Sequence, residues 1–448
     1  MKKVNRRSFI SAAGLGLGSL ACSDLIDPRA QAKPGNHLSG KIITEPQKEI
    51  PVVRSADVVV CGAGPAGVAA AIAAARKGAK TIILDSQGCL GGIWTASLLS
   101  LILDTKEKKG IMAEILKRLV ENGGLDSEGK RSNLYDPERM KLLLEEMCLE
   151  TGVEIQYFTQ IVDTVVENKQ IKAVITESKS GREAITGKVF IDCTGDGDVA
   201  AQSGCGFDFG NPDTKAFQPM SFIVLLAGIQ HEEVRQFYSK PRLLEEMNKA
   251  GFQPSYRGPS LFRIRNDFFA MMSNHEYGYR GFDVRELTRA TLQGRKEMFQ
   301  QINALRKYGG PWKNVQIVST PSLIGIREGR RIHGLYTVGI EDLRVGKKHE
   351  DAVCSVAFPI DVHSTTKMKG KEVERAPFRV QPYDIPMRAL IAKDVEGLMM
   401  AGRCISGDFI AHSSYRVTGN AVPMGEAAGE LAAKAAKDGK NPSSYYVS

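Results

Sequence analysis

The chain has 448 residues, 42% of them hydrophobic and 25% charged, with a formal net charge of +9. That length allows two domains with separate cores, and the composition excludes a disordered, fibrous or low-complexity chain. Residues 1–32 hold five of the Lys and Arg but only two of the Asp and Glu, leaving about +6 elsewhere; those charges are scattered, which argues against a nucleic-acid-binding face.

In chain order, Arg6-Arg7 precede Ser8-Phe9-Ile10 and a short, glycine-rich, mildly apolar run from Ser11 to Ala21, a pattern that resembles a twin-arginine export signal. The run is too short to cross a bilayer, which takes about 20 apolar residues, and no later stretch supplies an integral membrane span. Ala30-Gln31-Ala32 has the small-x-small form of a cleavage site, so residues 1–32 are expected to be removed and the chain delivered to the periplasm. Lipid anchoring at Cys22 is the rival reading, disfavoured by Ser19 where an aliphatic residue is usual. Residues 33–51 read as a linker. The eight cysteines form no C-x-x-C pair and no metal-ligand spacing with histidine, so no metal site is expected.

Asp57 to Cys61 is a continuous apolar run suited to a central parallel strand, and Gly62-Ala63-Gly64-Pro65-Ala66-Gly67 follows at once. An alanine-rich helix over Val68–Lys77 and a second strand over Lys80–Asp85 complete a dinucleotide-binding unit. In such a unit Gly62 makes the tight turn, Gly64 lets backbone approach a pyrophosphate, Pro65 and Ala66 open the helix, and Gly67 packs helix on strand. Asp85 stands 23 positions after Gly62, where an acid accepts hydrogen bonds from ribose, with Ser86 beside it. The small-residue turn Gly91-Gly92, continuing to Thr95, lets backbone run beside an extended cofactor, which points to FAD over NAD.

Asp136-Pro137 should cap a helix through Glu150, followed by a strand over Val153–Phe158 and a polar hairpin from Val162 to Val189. The strand Val189–Asp192 ends in the acidic turn Thr194-Gly195-Asp196-Gly197, at the edge of an α/β sheet where ligands bind. Near the C-terminus a strand over Val395–Ala401 ends in Gly402-Arg403. The stretch from Arg416 through Gly425 to Gly429 then leads into a helix reaching about Lys437, with Gly425 allowing close packing against cofactor or strand.

With matches at Gly62–Gly67, Leu90–Thr95, Asp192–Ala200, Gly325–Gly334, Tyr383–Ser406 and Ser414–Gly429, the sequence resembles the FAD-dependent oxidoreductase family within the glutathione-reductase-like two-domain flavoproteins. The resemblance implies an α/β fold: a Rossmann-like FAD-binding domain built from discontinuous segments, 52–216 and 385–440, with an inserted α+β substrate domain at 217–384 and a tail at 441–448. It also implies FAD contacts at Val162, Asp196, Gly197, Gly402, Arg403 and Gly425. Asp85 is a departure, since relatives more often have Glu there.

By the same resemblance, Gly325-Ile326-Arg327-Glu328-Gly329-Arg330-Arg331-Ile332-His333 and Phe358-Pro359-Ile360-Asp361-Val362-His363 lie by the flavin ring, which gives Arg327, Arg331 and His363 site roles. Oxidation of an alcohol or amine needs a base for the departing proton, and among the seven histidines His363 and His412 stand in motif regions. Arg416 is suited to a substrate carboxylate or to the reduced flavin. The expected function is hydride transfer between a small polar substrate, a carbohydrate or hydroxy acid, and the flavin, with a separate electron acceptor or donor. Two alternatives remain: an exported reductase of the fumarate-reductase type, and an electron-relay flavoprotein, which would lack an organised Arg/His cluster.

Overall fold

The computed structural model describes residues 37–39, 42–125, 133–367, 373–374 and 376–446. The expected export signal, its cleavage site and Cys22 lie outside the described residues. Two units are distinguished, residues 1–49 and 50–448. Within the first, His37–Ser39 pairs antiparallel with Ile42–Thr44. Part of the expected linker is therefore a short hairpin.

The second unit is built on a seven-stranded sheet. Its middle is the all-buried run Val58–Cys61 of the strand Val52–Cys61, which needs cover on both faces and so lies between parallel neighbours. Thr81–Leu84 lies parallel on one side and Gly181–Asp192 on the other, with Glu154–Gln156 beyond Thr81–Leu84. On its edge away from Val52–Cys61, Gly181–Asp192 serves two partners in turn. Its first half pairs antiparallel with Gln170–Ser178, and its last three residues pair parallel with Leu398–Met400. The C-terminal strand therefore ends beside Asp192, at the edge where the glycine turns emerge.

Helix Pro65–Arg76 is sealed on nearly every side, and its alanines leave room for a second helix at close range. That neighbour, Thr418–Asp438, begins well before Gly429, so the expected helix start is corrected. Pro423, Gly425 and Gly429 all lie inside the helix. The reason is packing: a Cβ on Gly425 would sit 2.0 Å from Ala66 O, and one on Gly429 would sit 2.2 Å from Ala70 O. Four residues apart, these two glycines share one helix face, and two backbones meet across it. Gly425 therefore lets the two helices meet backbone to backbone.

A second, antiparallel sheet orders Ser260–Arg265, Phe268–Met272, Val224–Ala227 and Gln316–Ser319. The long helix Val284–Tyr308, capped by Asp283, packs its buried residues Met298, Ile302 and Leu305 into the core of this sheet. This separate core runs from Met220 to Ile324. Ile332, Val338, Val356, Val362 and Tyr383 instead belong to the larger core, so the second half of the expected inserted domain packs with the dinucleotide-binding part. All seven described cysteines are unpaired. No described helix is long and apolar enough to cross a membrane.

Candidate functional site

The turn Gly62–Gly67 is the meeting point of several separated stretches. A Cβ on Gly62 would lie 2.5 Å from Cys193 O, and one on Gly67 would lie 1.9 Å from Gly62 O. The turn thus sits hard against the end of the neighbouring strand. Gly91 donates its N–H to Ala63 O at 2.7 Å, and Gly92 lies against Gly64 Cα. A Cβ on Gly402 would lie 3.1 Å from the Ala66 Cβ, and Pro65 occupies the first turn of the helix Pro65–Arg76.

Gly64 differs from its neighbours, because a Cβ there would meet nothing within 4 Å. No protein contact accounts for a glycine at this position, whereas a phosphate group seated on the helix N-terminus would. A second observation supports a polar occupant. Asn420, in the first turn of the C-terminal helix, is fully buried, and neither amide atom has a hydrogen-bond partner. Each such atom costs about 1–3 kcal/mol unless a bound group satisfies it.

The remaining residues expected on the cofactor divide. Asp85 accepts from Ala63 N at 2.6 Å and Gln87 N at 2.7 Å, and burial raises its carboxyl pKa. Ser86 is exposed in the same turn. Val162 falls where the pairing of Gln160–Glu167 with its neighbour shifts register, so it is skipped by the ladder. Thr95 is buried, its hydroxyl donating to Leu90 O across the Gly91-Gly92 turn. Asp196 and Arg403, each expected on the cofactor, are partners of one another at 2.9 Å. Gly197 caps the short helix Asp198–Gln202 against Ile332.

A second constellation lies where the two cores approach each other. Arg327 donates to Pro219 O at 2.7 Å and to Ser221 Oγ at 2.8 Å. Arg416 reaches Asp361 O at 2.9 Å and Asp361 Oδ2 at 3.4 Å. The same Oδ2 lies 3.3 Å from His363 Nε2, while His363 Nδ1 is buried without a partner. Gln218 Oε1 accepts from the His363 backbone N–H at 3.0 Å and from Arg416 Nη2 at 3.3 Å, which ties the three segments together.

Electrostatics in this cluster follow from burial. Burial and the nearby Arg416 charge hold the Arg327 guanidinium down to about 10. Burial and the Arg327 charge, opposed by Asp361, hold His363 down to about 3, so its ring is neutral. Burial alone would raise the Asp361 carboxyl, but the His363 hydrogen bond and the two guanidiniums outweigh it and keep it well below the usual range.

Two expected members are absent from this cluster. Gly329 is pressed against Asp196, and beyond it Arg330 pairs with Asp198 at 2.8 Å while Arg331 is buried. Arg331 is paired with buried Glu328 at 2.9 Å and donates to Gly210 O, so its charge is used internally. His412 is fully buried beside Tyr415, with both ring nitrogens unpartnered and burial pushing its pKa well below the usual value. No described contact joins it to His363.

The sequence reading missed His275 and Tyr256. The His275 ring lies 5.0 Å from that of His363 and stacks on Tyr256 at 4.0 Å. The one local signal was Ser273-Asn274-His275-Glu276, polar residues that read as a loop after the apolar strand Phe268–Met272 yet are all buried.

Among proteins of known kind, the chain is similar to the thiamine thiazole synthase of Aeropyrum pernix, 29% identical over 122 residues that cover 27% of this chain and 43% of that protein. The enzyme of the same name from Methanococcus maripaludis is 28% identical over 149 residues, 31% of this chain and 56% of that one. The chain thus spans about half the length of these curated relatives. A flavin-dependent brominase of known structure aligns over 88% of this chain and 82% of its own, with 12% identity and a TM-score of 0.46. The model of the family described as FAD dependent oxidoreductase matches residues 57–446. The chain therefore belongs to the FAD-dependent oxidoreductase family and is a flavin enzyme whose cofactor is FAD.

Proposed function

We propose that this enzyme is a dehydrogenase or oxidase that removes a hydride and a proton from a small polar substrate, with the Asp361–His363 pair as its base. The observation that carries this reading is the unpartnered, buried Nδ1 of His363. Asp361 at Nε2 favours the tautomer with the proton on Nε2, which leaves the Nδ1 lone pair directed at whatever occupies the site. When bound, FAD supplies the two-electron acceptor. The chain's residues do the rest: Gln218 fixes the His363 backbone, the buried surroundings exclude water, and Nδ1 takes the proton of the reacting hydroxyl or amine.

The Arg/His cluster also favours an enzyme over an electron relay, which has no use for an organised substrate site. The overall arrangement is read as glutathione-reductase-like, with the core from Met220 to Ile324 facing the substrate. Anaerobic addition of sugars, hydroxy acids and amines to the FAD-loaded protein should bleach the flavin with one class. Failure of every class, together with reoxidation of pre-reduced protein by an unsaturated acid, would replace this reading with a fumarate-reductase type.

Export in folded form is part of the proposal, supported by Arg6-Arg7-Ser8-Phe9-Ile10 and by the need to fold around FAD where FAD is made. Fractionation should find the wild type in the periplasm and the double variant Arg6→Lys, Arg7→Lys in the cytoplasm. Periplasmic recovery of both would refute the twin-arginine route.

A further inference from the structure

The site described above is unbalanced in two respects, charge and hydrogen-bonding capacity, and both imbalances point to the same occupant. Arg327 is a half-buried cation whose hydrogen bonds to oxygen go to neutral acceptors, a carbonyl and a hydroxyl. Among the described residues it has no ion-pair partner. Arg416 and Asp361 offset each other, and His363 is neutral. An excess of positive charge drawn largely out of water is costly unless an anion answers it.

Hydrogen-bonding capacity tells the same story. Arg416 Nε and Gln218 Nε2 are buried donors without partners, and His363 Nδ1 is a buried acceptor without one. Unmet donors beside unmet positive charge call for a group that only accepts and carries negative charge. The unmet acceptor calls for a neighbouring hydroxyl or amine N–H. A carboxylate with a hydroxyl or amino group on the adjacent carbon provides both within one small molecule.

We infer that the substrate is a 2-hydroxy or 2-amino carboxylate, its carboxylate held by Arg327 and Arg416 and its reacting O–H or N–H directed at His363 Nδ1. The inference rests on the dehydrogenase reading and narrows it, setting aside neutral carbohydrates. For a hydroxy acid the step balances: the O–H proton goes to Nδ1, the C2–H bond leaves as hydride with its electron pair to FAD, and a C2=O bond forms. The product is a 2-oxo acid, and FAD is reduced by two electrons.

The test is binding rather than turnover. Calorimetric titration of the FAD-loaded protein with oxalate should show affinity about tenfold or more above that of oxamide, its neutral counterpart, since one charge-assisted pair suffices for that ratio. Arg327→Gln should abolish the difference, and Arg327→Lys should restore part of it. Equal binding of oxalate and oxamide by the wild type, which needs no variant to fold, would overturn the inference. So would Arg327→Gln binding oxalate as tightly as the wild type, or sulfate matching oxalate. Bleaching by a neutral polyol without oxalate binding would sink this inference alone. Oxalate binding with no bleaching by any compound would sink the dehydrogenase reading.

Discussion

Gly64→Val should give a folded protein without flavin. A valine Cβ at this position meets no protein atom within 4 Å, and Gly64 has φ −67°, which valine adopts without strain. Secondary structure and melting temperature should therefore stay close to those of the flavin-free wild type, since bound FAD itself adds stability. The space the side chain enters is where a pyrophosphate must approach the N-terminus of the helix Pro65–Arg76. Loss of that approach should weaken FAD binding on the order of 10³-fold, equivalent to about 4 kcal/mol. Gly67→Ala makes the contrast: its Cβ would sit 1.9 Å from Gly62 O, so it should lower the melting temperature whether or not FAD is present. Circular dichroism and flavin absorbance together distinguish the two outcomes. A yellow Gly64→Val protein would remove the pyrophosphate from this turn.

His363→Ala should lower kcat/KM by roughly 10²–10⁴-fold, the usual contribution of a positioned general base. Asp361→Asn should lose much of the same factor although its shape is conserved, because a carboxamide no longer specifies the proton on Nε2. The pH dependence provides a sharper check. The groups facing the ring are Asp361 at Nε2, the Arg327 and Arg416 guanidiniums, and the His275 and Tyr256 rings. In the free enzyme, burial and Arg327 hold His363 down to about 3. The base is then unprotonated throughout the neutral and mildly acidic range, and kcat/KM should be flat between about pH 5 and 8 instead of falling below the reference value of about 6.5. An anionic substrate would neutralise the guanidiniums and raise the pKa in the complex. The acid limb of kcat should therefore lie at higher pH than that of kcat/KM. Parallel limbs near pH 6.5 in both profiles would contradict this account of the base.

How much of this was legible in the sequence depended on range. The dinucleotide unit was readable because its determinants are local: an apolar strand, a glycine turn, an alanine-rich helix and an acid at a fixed distance all lie between Asp57 and Asp85. The helix Pro137–Glu150 was equally readable, since Asp136 caps it by accepting from Glu138 N and Pro137 suits the first turn. Close packing at Gly425 was readable, but its neighbour, the helix Pro65–Arg76, is set by tertiary packing and carries no local signal. Asp196 and Arg403, 207 positions apart, carry no signal that they satisfy one another. Arg327 and Arg331 looked equivalent in one motif, yet the first reaches Pro219 and Ser221 at the site and the second pairs with Glu328. His275 was invisible because its partners Tyr256 and His363 come from separate segments that only tertiary packing unites.

The central claim is that the glycine turns near Gly62, Asp196 and Gly402 enclose one flavin nucleotide. Titration of flavin-free wild-type protein with FAD, followed by quenching of flavin fluorescence, tests it most directly. Saturation at one FAD per chain, absent from Gly64→Val under the same conditions, is the result this account predicts. A well-folded wild type that takes up no FAD, or a Gly64→Val protein with an identical binding curve, would contradict it.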